Sequence, residues 1–326
     1  MVRSELGYTS LKSRSFVRFR QGRVVFSSSG DLNRAGAQQP DTTPALISGP
    51  RHALGRMVRD AAAGLFNTLF PGVCRLCGEP LNDISRLPVC KSCIGSIEPL
   101  AGAFCSICGE NLFAFAASDA PAMCGMCRRA VPPFARAVAF GTYEGNLRGL
   151  LHLLKYEQVR PVADLLGGYL AEAIKKLQPL LGEAPALVIP VPLHAPKQRQ
   201  RRFNQAELIA RAALKNLAAR GLVFELNTRI LKRQRETSSQ TGLTRHQRRA
   251  NLRGAFAVTN RDAMAERDIL VVDDVFTTGT TVSECARLLV RNGAGRVFVA
   301  TVARVLKGEI TRVEQRAVRP MAAGAH

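Results

Sequence analysis

Apolar side chains at Met57, Val58, Ala61, Ala62, Leu65, Phe66 and Leu69 recur at helical spacing, a stripe that stops at Pro71. A second stripe runs through Leu147, Leu150, Leu151 and Leu154, and a third covers residues 165–174. The runs ALVIPVP, DILVVDD and RVFVATVA are short, β-rich and almost wholly apolar, and they alternate with helices predicted over 203–217 and 281–291. Such alternation implies an α/β domain, a mainly parallel sheet with flanking helices. Residues 71–133 differ: periodic apolar segments are scarce there, and 8 of the 9 cysteines fall in that stretch. The pattern therefore divides the chain into a disordered basic extension (1–55), an amphipathic helix (56–70), a cysteine-rich module (71–133), an α/β domain (134–306) and a tail (307–326).

Composition sharpens the picture. The 326 residues are 46% hydrophobic, enough for a buried core, and no apolar run approaches the roughly 18 residues that a membrane span needs. The expectation is a soluble protein. The net charge of +21 is unevenly placed, since residues 197–253 carry 15 basic and 3 acidic side chains. That clustering points to a dedicated anion site rather than to general solubility. Histidines 152, 194 and 246 are scattered and read as structural or surface groups, and Cys285 shares a helical face with Leu288 and Leu289.

The cysteines form four C-x-x-C pairs: Cys74 and Cys77, Cys90 and Cys93, Cys105 and Cys108, Cys124 and Cys127. Two such turns complete an all-thiolate tetrahedral shell, so the spacing predicts two structural Zn2+ sites with no ligand position left for chemistry. Disulfides, a redox motif and an iron–sulfur cluster are the competing readings. Sequential pairing gives two short ribbons, and a cross-braced pairing stays open. With 5 basic and 5 acidic groups over residues 71–130, a module of zinc thiolates is net negative. Nucleic acid binding draws on Lys and Arg, so the module reads as a scaffold or docking element.

The stretch ILVVDDVFTTGTT (269–281) carries the most chemistry. An apolar strand ends in Asp273 and Asp274, and a small-residue turn opens directly into a helix. Backbone N–H groups of Thr277, Thr278, Gly279, Thr280 and Thr281 can form a concave nest for a phosphate monoester, aided by the helix dipole. The two carboxylates suit the neighbouring hydroxyls of a ribose.

These residues resemble the phosphoribosyl pyrophosphate motif of type I phosphoribosyltransferases. Taken with PVPLHAPKQRQRRFNQAELIA (190–210), SSQTGLTRHQRRANLRGAF (238–256), LLKY (153–156) and the upstream cysteine pairs, the chain resembles the ComF family of competence proteins over about residues 60–306. The resemblance implies a type I phosphoribosyltransferase-like fold, with Asp273 and Asp274 on the ribose and the 277–281 turn on the 5′-phosphate. It places pyrophosphate by Lys197, Arg199, Arg201 and Arg202, and assigns residues 229–253, with Arg245, Arg248 and Arg249, to a hood that closes over substrate. Mg2+ would accompany phosphoribosyl pyrophosphate. The family being bacterial, the acid-poor start reads as an extension, or a misplaced start upstream of Met57, rather than a transit peptide.

Two departures stand out. Purine enzymes of the hypoxanthine-guanine type carry an acid where this chain has Thr277, and family members commonly carry glycine where it has Arg202. Lys155, following an apolar helix face, reads by default as a snorkelling surface residue, and only the family resemblance raises it to a site candidate.

Three functional readings stay open. One is a cytoplasmic protein of natural transformation that binds phosphoribosyl pyrophosphate as a Mg2+-dependent transferase and handles single-stranded DNA, with a DNA-translocating ATPase and a recombination mediator as partners. Another is a catalytically silent metabolite sensor or DNA-binding scaffold, and the third a nucleotide-salvage transferase unrelated to competence. Residues 197–253 contain only Phe203 and Phe224 as aromatics, so a DNA grip there would be electrostatic rather than by base stacking.

Overall fold

The computed structural model describes residues 72–81, 85–112, 122–235, 247 and 251–306. The basic extension, the helix expected over 56–70, the tail, His246, Arg245, Arg248 and Arg249 lie outside the described residues.

Five parallel strands form the central sheet: β1 (Arg136–Thr142), β2 (Leu187–Pro190), β3 (Glu225–Leu226), β6 (Ile269–Phe276) and β7 (Val297–Arg304), in the order β1-β7-β6-β2-β3. Alternate residues feed opposite faces, as the pleat requires. Leu270, Val272, Phe298 and Ala300 pack against α3 (Gly145–Tyr156), α4 (Val162–Lys175) and α6 (Gln205–Ala218). Ile269, Val271, Val297 and Val299 face α7 (Thr280–Arg291) and the small antiparallel pair β4 (Leu231–Arg233) and β5 (Phe256–Val258). Burial on both faces explains why these strands read as continuous apolar runs. Cys285 is fully buried on the inner face of α7, where burial pushes its thiol up.

One helix start matches its sequence signal closely, and another segment departs from its expected form. The helix expected over 203–217 begins at Gln205 because Asn204 caps it, its side chain accepting from the Ala206 N–H at 3.0 Å. The basic stretch after PVPL, expected as a loop, contains a short helix α5 (Ala195–Arg201) closed by Arg202 in the left-handed conformation, φ +61°. That is the backbone a glycine adopts freely, so arginine is held here in a strained geometry.

From β2 the chain leaves through α6 toward β3, whereas from β6 it leaves through α7 toward β7 on the other side. The two departures open a crevice at the carboxyl ends of β2 and β6, the usual ligand position in open α/β sheets. The cysteine module carries two five-residue helices, α1 (Lys91–Gly95) and α2 (Gly125–Arg129), and straddles edge strand β1. The Leu100 N–H donates to the Phe140 carbonyl and the Ala137 N–H donates to the Ile107 carbonyl, each at 2.6 Å.

Candidate functional site

The eight cysteines meet in two groups, Cys74, Cys77, Cys90 and Cys93, and Cys105, Cys108, Cys124 and Cys127, with the four sulfurs of each group within 4.8 Å of one another. Sequential pairing is thus the observed one. The Sγ separations are 3.9 Å for Cys74 and Cys93, 3.7 Å for Cys77 and Cys90, and 3.6 Å for Cys108 and Cys124. A tetrahedron with Zn–S bonds of about 2.3 Å has edges of about 3.8 Å, so the geometry fits zinc and is far too open for a disulfide. Burial raises the Cys74 thiol, but N–H donors at Cys90, Cys77 and Leu76 outweigh it and bring it to about 6. Donors at Cys124, Cys108 and Ile107 likewise bring Cys105 to about 7 against burial. Burial and the neighbouring sulfurs push Cys93 and Cys127 upward, the response expected when thiolates crowd together without a cation. Two structural zinc sites satisfy both tetrads.

At the crevice, β6 delivers Asp273 and Asp274 to opposite faces of the sheet. Asp274 is buried, ion-paired to Lys155 from α3, and its Oδ1 accepts from Gln205 Nε2 of α6 at 3.4 Å. Burial raises the Asp274 carboxyl, but the Lys155 ammonium overcomes this and holds it below the ordinary carboxylate range. Burial likewise disfavours the Lys155 charge, and Asp274 restores it, so that the ammonium is retained. Asp273 is half-buried, its Oδ1 accepting the Asp274 N–H at 2.9 Å. Burial, then the adjacent Asp274 carboxylate, push its carboxyl well above the usual range. The expectation that Lys155 lies on the surface is therefore corrected: its side chain is 15% exposed and points to the acid pair.

Immediately beyond β6, Gly279 caps α7 at φ +71°, and a Cβ placed there would lie 2.5 Å from the Phe276 ring. Thr278 and Thr280 share a hydroxyl hydrogen bond of 2.7 Å. The Ser283 N–H donates to the Gly279 carbonyl at 2.9 Å. The turn thus leads straight into the first turn of α7, the end of a helix at which anions bind.

Known proteins resemble this chain in sequence over most of its length. Residues 65–128 match the family model of the double zinc ribbon domain. The DNA utilization protein YhgH of Escherichia coli O157:H7 is 32% identical over 237 residues, covering 72% of this chain and 98% of that protein. Competence protein F of Haemophilus influenzae is 31% identical over 226 residues, 68% of this chain and 92% of its own length. The chain belongs to the ComF family. Among solved structures, TT1426 of Thermus thermophilus is 19% identical with a TM-score of 0.28, covering 50% of this chain and 86% of that one. Hypoxanthine-guanine phosphoribosyltransferase of Schistosoma mansoni is 12% identical with a TM-score of 0.26, covering 45% of this chain and 63% of that one.

The ComF motifs meet at the crevice unequally. Arg201 approaches the acid pair through Gln205, whose Oε1 accepts from Arg201 Nη1 at 3.1 Å, and its guanidinium lies 5.4 Å from the centre of the Tyr156 ring of LLKY. Arg199 and Arg202 are exposed and Lys197 is half-buried. Sequence reasoning missed Gln205, although it sits in the FNQ portion of the motif. It also missed Arg304, an arginine at the end of an otherwise apolar strand, which lies 2% exposed beside the second tetrad. No helix among the described residues is long and apolar enough to cross a membrane.

Proposed function

We propose that the crevice between β2 and β6 binds phosphoribosyl pyrophosphate, with the 5′-phosphate on the 277–281 turn and the ribose hydroxyls donating to Asp273 and Asp274. One observation carries the reading: β6 carries two adjacent carboxylates of opposite proton affinity near its carboxyl end, and Thr277 and Thr278 connect it to a left-handed Gly279 and the start of a 12-residue helix. Lys155 keeps Asp274 ionised and Gln205 orients it, so one acceptor is ready before any ligand arrives. Asp273 holds its proton until a hydroxyl or a cation takes its place. Pyrophosphate would lie toward α5, near Lys197, Arg199, Arg201 and Arg202, and the sequence adds Arg245, Arg248 and Arg249 from the following basic segment. The carboxylate donors suit Mg2+, which when bound with pyrophosphate neutralises the leaving group.

The chemistry supported is pentosyl transfer: a nucleophile attacks C1 of the ribose as the C1–O bond to pyrophosphate breaks. Thr277 offers no carboxylate to a purine acceptor. The names of the relatives, a DNA utilization protein and a competence protein, support a cytoplasmic role in DNA uptake, with single-stranded DNA, a DNA-translocating ATPase and a recombination mediator as partners.

Calorimetry with phosphoribosyl pyrophosphate and Mg2+ tests the site. Binding by the wild type and its loss in the Asp273→Asn, Asp274→Asn double variant, with two zinc ions retained, supports the reading; equal binding by both overturns it. Pyrophosphate release over a panel of bases and amines then separates a transferase from a sensor. For DNA, single-strand affinity should fall steeply with salt and vanish on charge reversal at Arg199, Arg201, Arg248 and Arg249.

A further inference from the structure

The end of β7 brings the second ribbon onto the phosphate turn. Arg304 stands in register with Phe276, so the last residues of two adjacent strands sit side by side. Its guanidinium is tied on two corners: Nη1 donates to the Cys108 carbonyl at 2.6 Å and Nη2 to Glu110 Oε2 at 3.2 Å. The same guanidinium lies 5.1 Å from the centre of the Phe276 ring, the ring that packs under Gly279. Gly109, between the two ribbon partners, has φ +70° and leaves 3.0 Å between the position of a Cβ and Arg304 Nη1. The fit is thus tight from ribbon to strand to turn.

Two further facts concern the cavity this creates. A space of about 130 Å³ is lined by Thr277, Thr278 and Gly279 on one side and by Cys124 and Cys127 on the other, with Arg304 the one cation among its described lining residues. The third guanidinium nitrogen, Nε, is buried without a hydrogen-bond partner among the described residues. A buried, unsatisfied N–H of a charged group is costly and calls for an acceptor. A phosphate oxygen is the acceptor whose charge also suits the site.

We propose that Arg304 is an anion-binding residue of the phosphate cavity, held in place by the second zinc ribbon, so that zinc at Cys105, Cys108, Cys124 and Cys127 sets the affinity for phosphate monoesters. This rests on reading the 277–281 turn as a phosphate site. The ribbon then acts as a wall of the ligand cavity as well as a scaffold. Among the described residues the first ribbon shows no such link to the turn: its contacts with the domain include Asn146, which donates to the Cys93 carbonyl at 3.2 Å, an exposed pair of Arg75 and Glu157 at 3.0 Å, and the packing of Cys74, Val89 and Cys93 against the α3 side of the core.

The test is calorimetry on the full-length protein with ribose 5-phosphate as probe, alongside zinc content and circular dichroism. Arg304→Met should weaken binding about tenfold or more, the effect of losing a charge-assisted hydrogen bond, and Arg304→Lys should recover part of the loss by keeping the charge. Cys124→Ser should release one zinc and weaken binding similarly, and adding Arg304→Met to it should weaken binding little further, since both changes act on one group. Arg75→Gln should bind within twofold of the wild type. Wild-type binding with folded Arg304→Met within twofold of it overturns the inference. If Arg304→Met fails to fold, Cys124→Ser decides, and unchanged affinity with one zinc overturns it. Absence of ribose 5-phosphate binding by the wild type is a different failure, that of the phosphate-site reading itself.

Discussion

Lys155 of α3 and Asp274 of β6 form a buried ion pair at the carboxyl edge of the sheet, joining the LLKY segment to the acid pair that precedes the phosphate turn. Removing one member leaves the other charge without compensation. Lys155→Met should therefore destabilise the fold by about 3–5 kcal/mol, read as a shift in urea midpoint at unchanged slope. A loss near zero would mean that water already solvates Asp274.

Asp273 gives a pH signature. Its carboxyl is raised in the free protein by burial and by Asp274, whereas a bound hydroxyl or cation needs the carboxylate. Ligand binding then expels a proton whenever the pH lies below the raised value. Affinity for phosphoribosyl pyrophosphate with Mg2+ should increase with pH above the ordinary carboxylate range and level off once Asp273 ionises. Calorimetry in buffers of different ionisation enthalpy measures the proton directly, and Asp273→Asn should abolish its release.

Gly279 permits both a left-handed backbone and close packing on Phe276. Gly279→Ala should cost about 1–3 kcal/mol of stability and should displace the turn, with loss of ribose 5-phosphate binding. Unaltered binding would show that the turn is not the anion site.

At Arg202 the same backbone is occupied by the wrong kind of residue. Arg202→Gly should relieve the strain and leave stability unchanged or raised by up to about 1 kcal/mol, the relief being offset in part by the entropy of glycine in the unfolded chain. Thermal denaturation checks this, and a clear loss would mean that the arginine makes a compensating contact.

Each chain should bind two zinc ions, released by mercurial titration into a chromogenic chelator. Because the metal needs thiolates, protons compete with it and zinc should be lost as pH falls, with Cys74, brought to about 6, the last thiol of its tetrad to take up a proton. Visible absorbance from iron would contradict the assignment.

Much of this architecture was legible in sequence because it is periodic or locally spaced. The doubly covered strands announce themselves as unbroken apolar runs, and the C-x-x-C spacing yields the metal shells. The phosphate turn reads from its composition, since few local structures need two acids followed by threonines and a glycine. Lys155, Gln205 and Arg304 were not legible to the same degree. Each works through a partner more than 65 residues away in sequence, Asp274 for the first two and Glu110 for the last. A side chain's burial there depends on how strands are ordered, which periodicity does not encode.

The two hydrogen bonds that the cysteine module makes to β1 occupy groups along the outermost strand of the sheet. Stripping the metal would loosen that cover and expose an apolar strand able to template pairing with another copy. Chelation should therefore first produce light scattering rather than a soluble unfolded monomer.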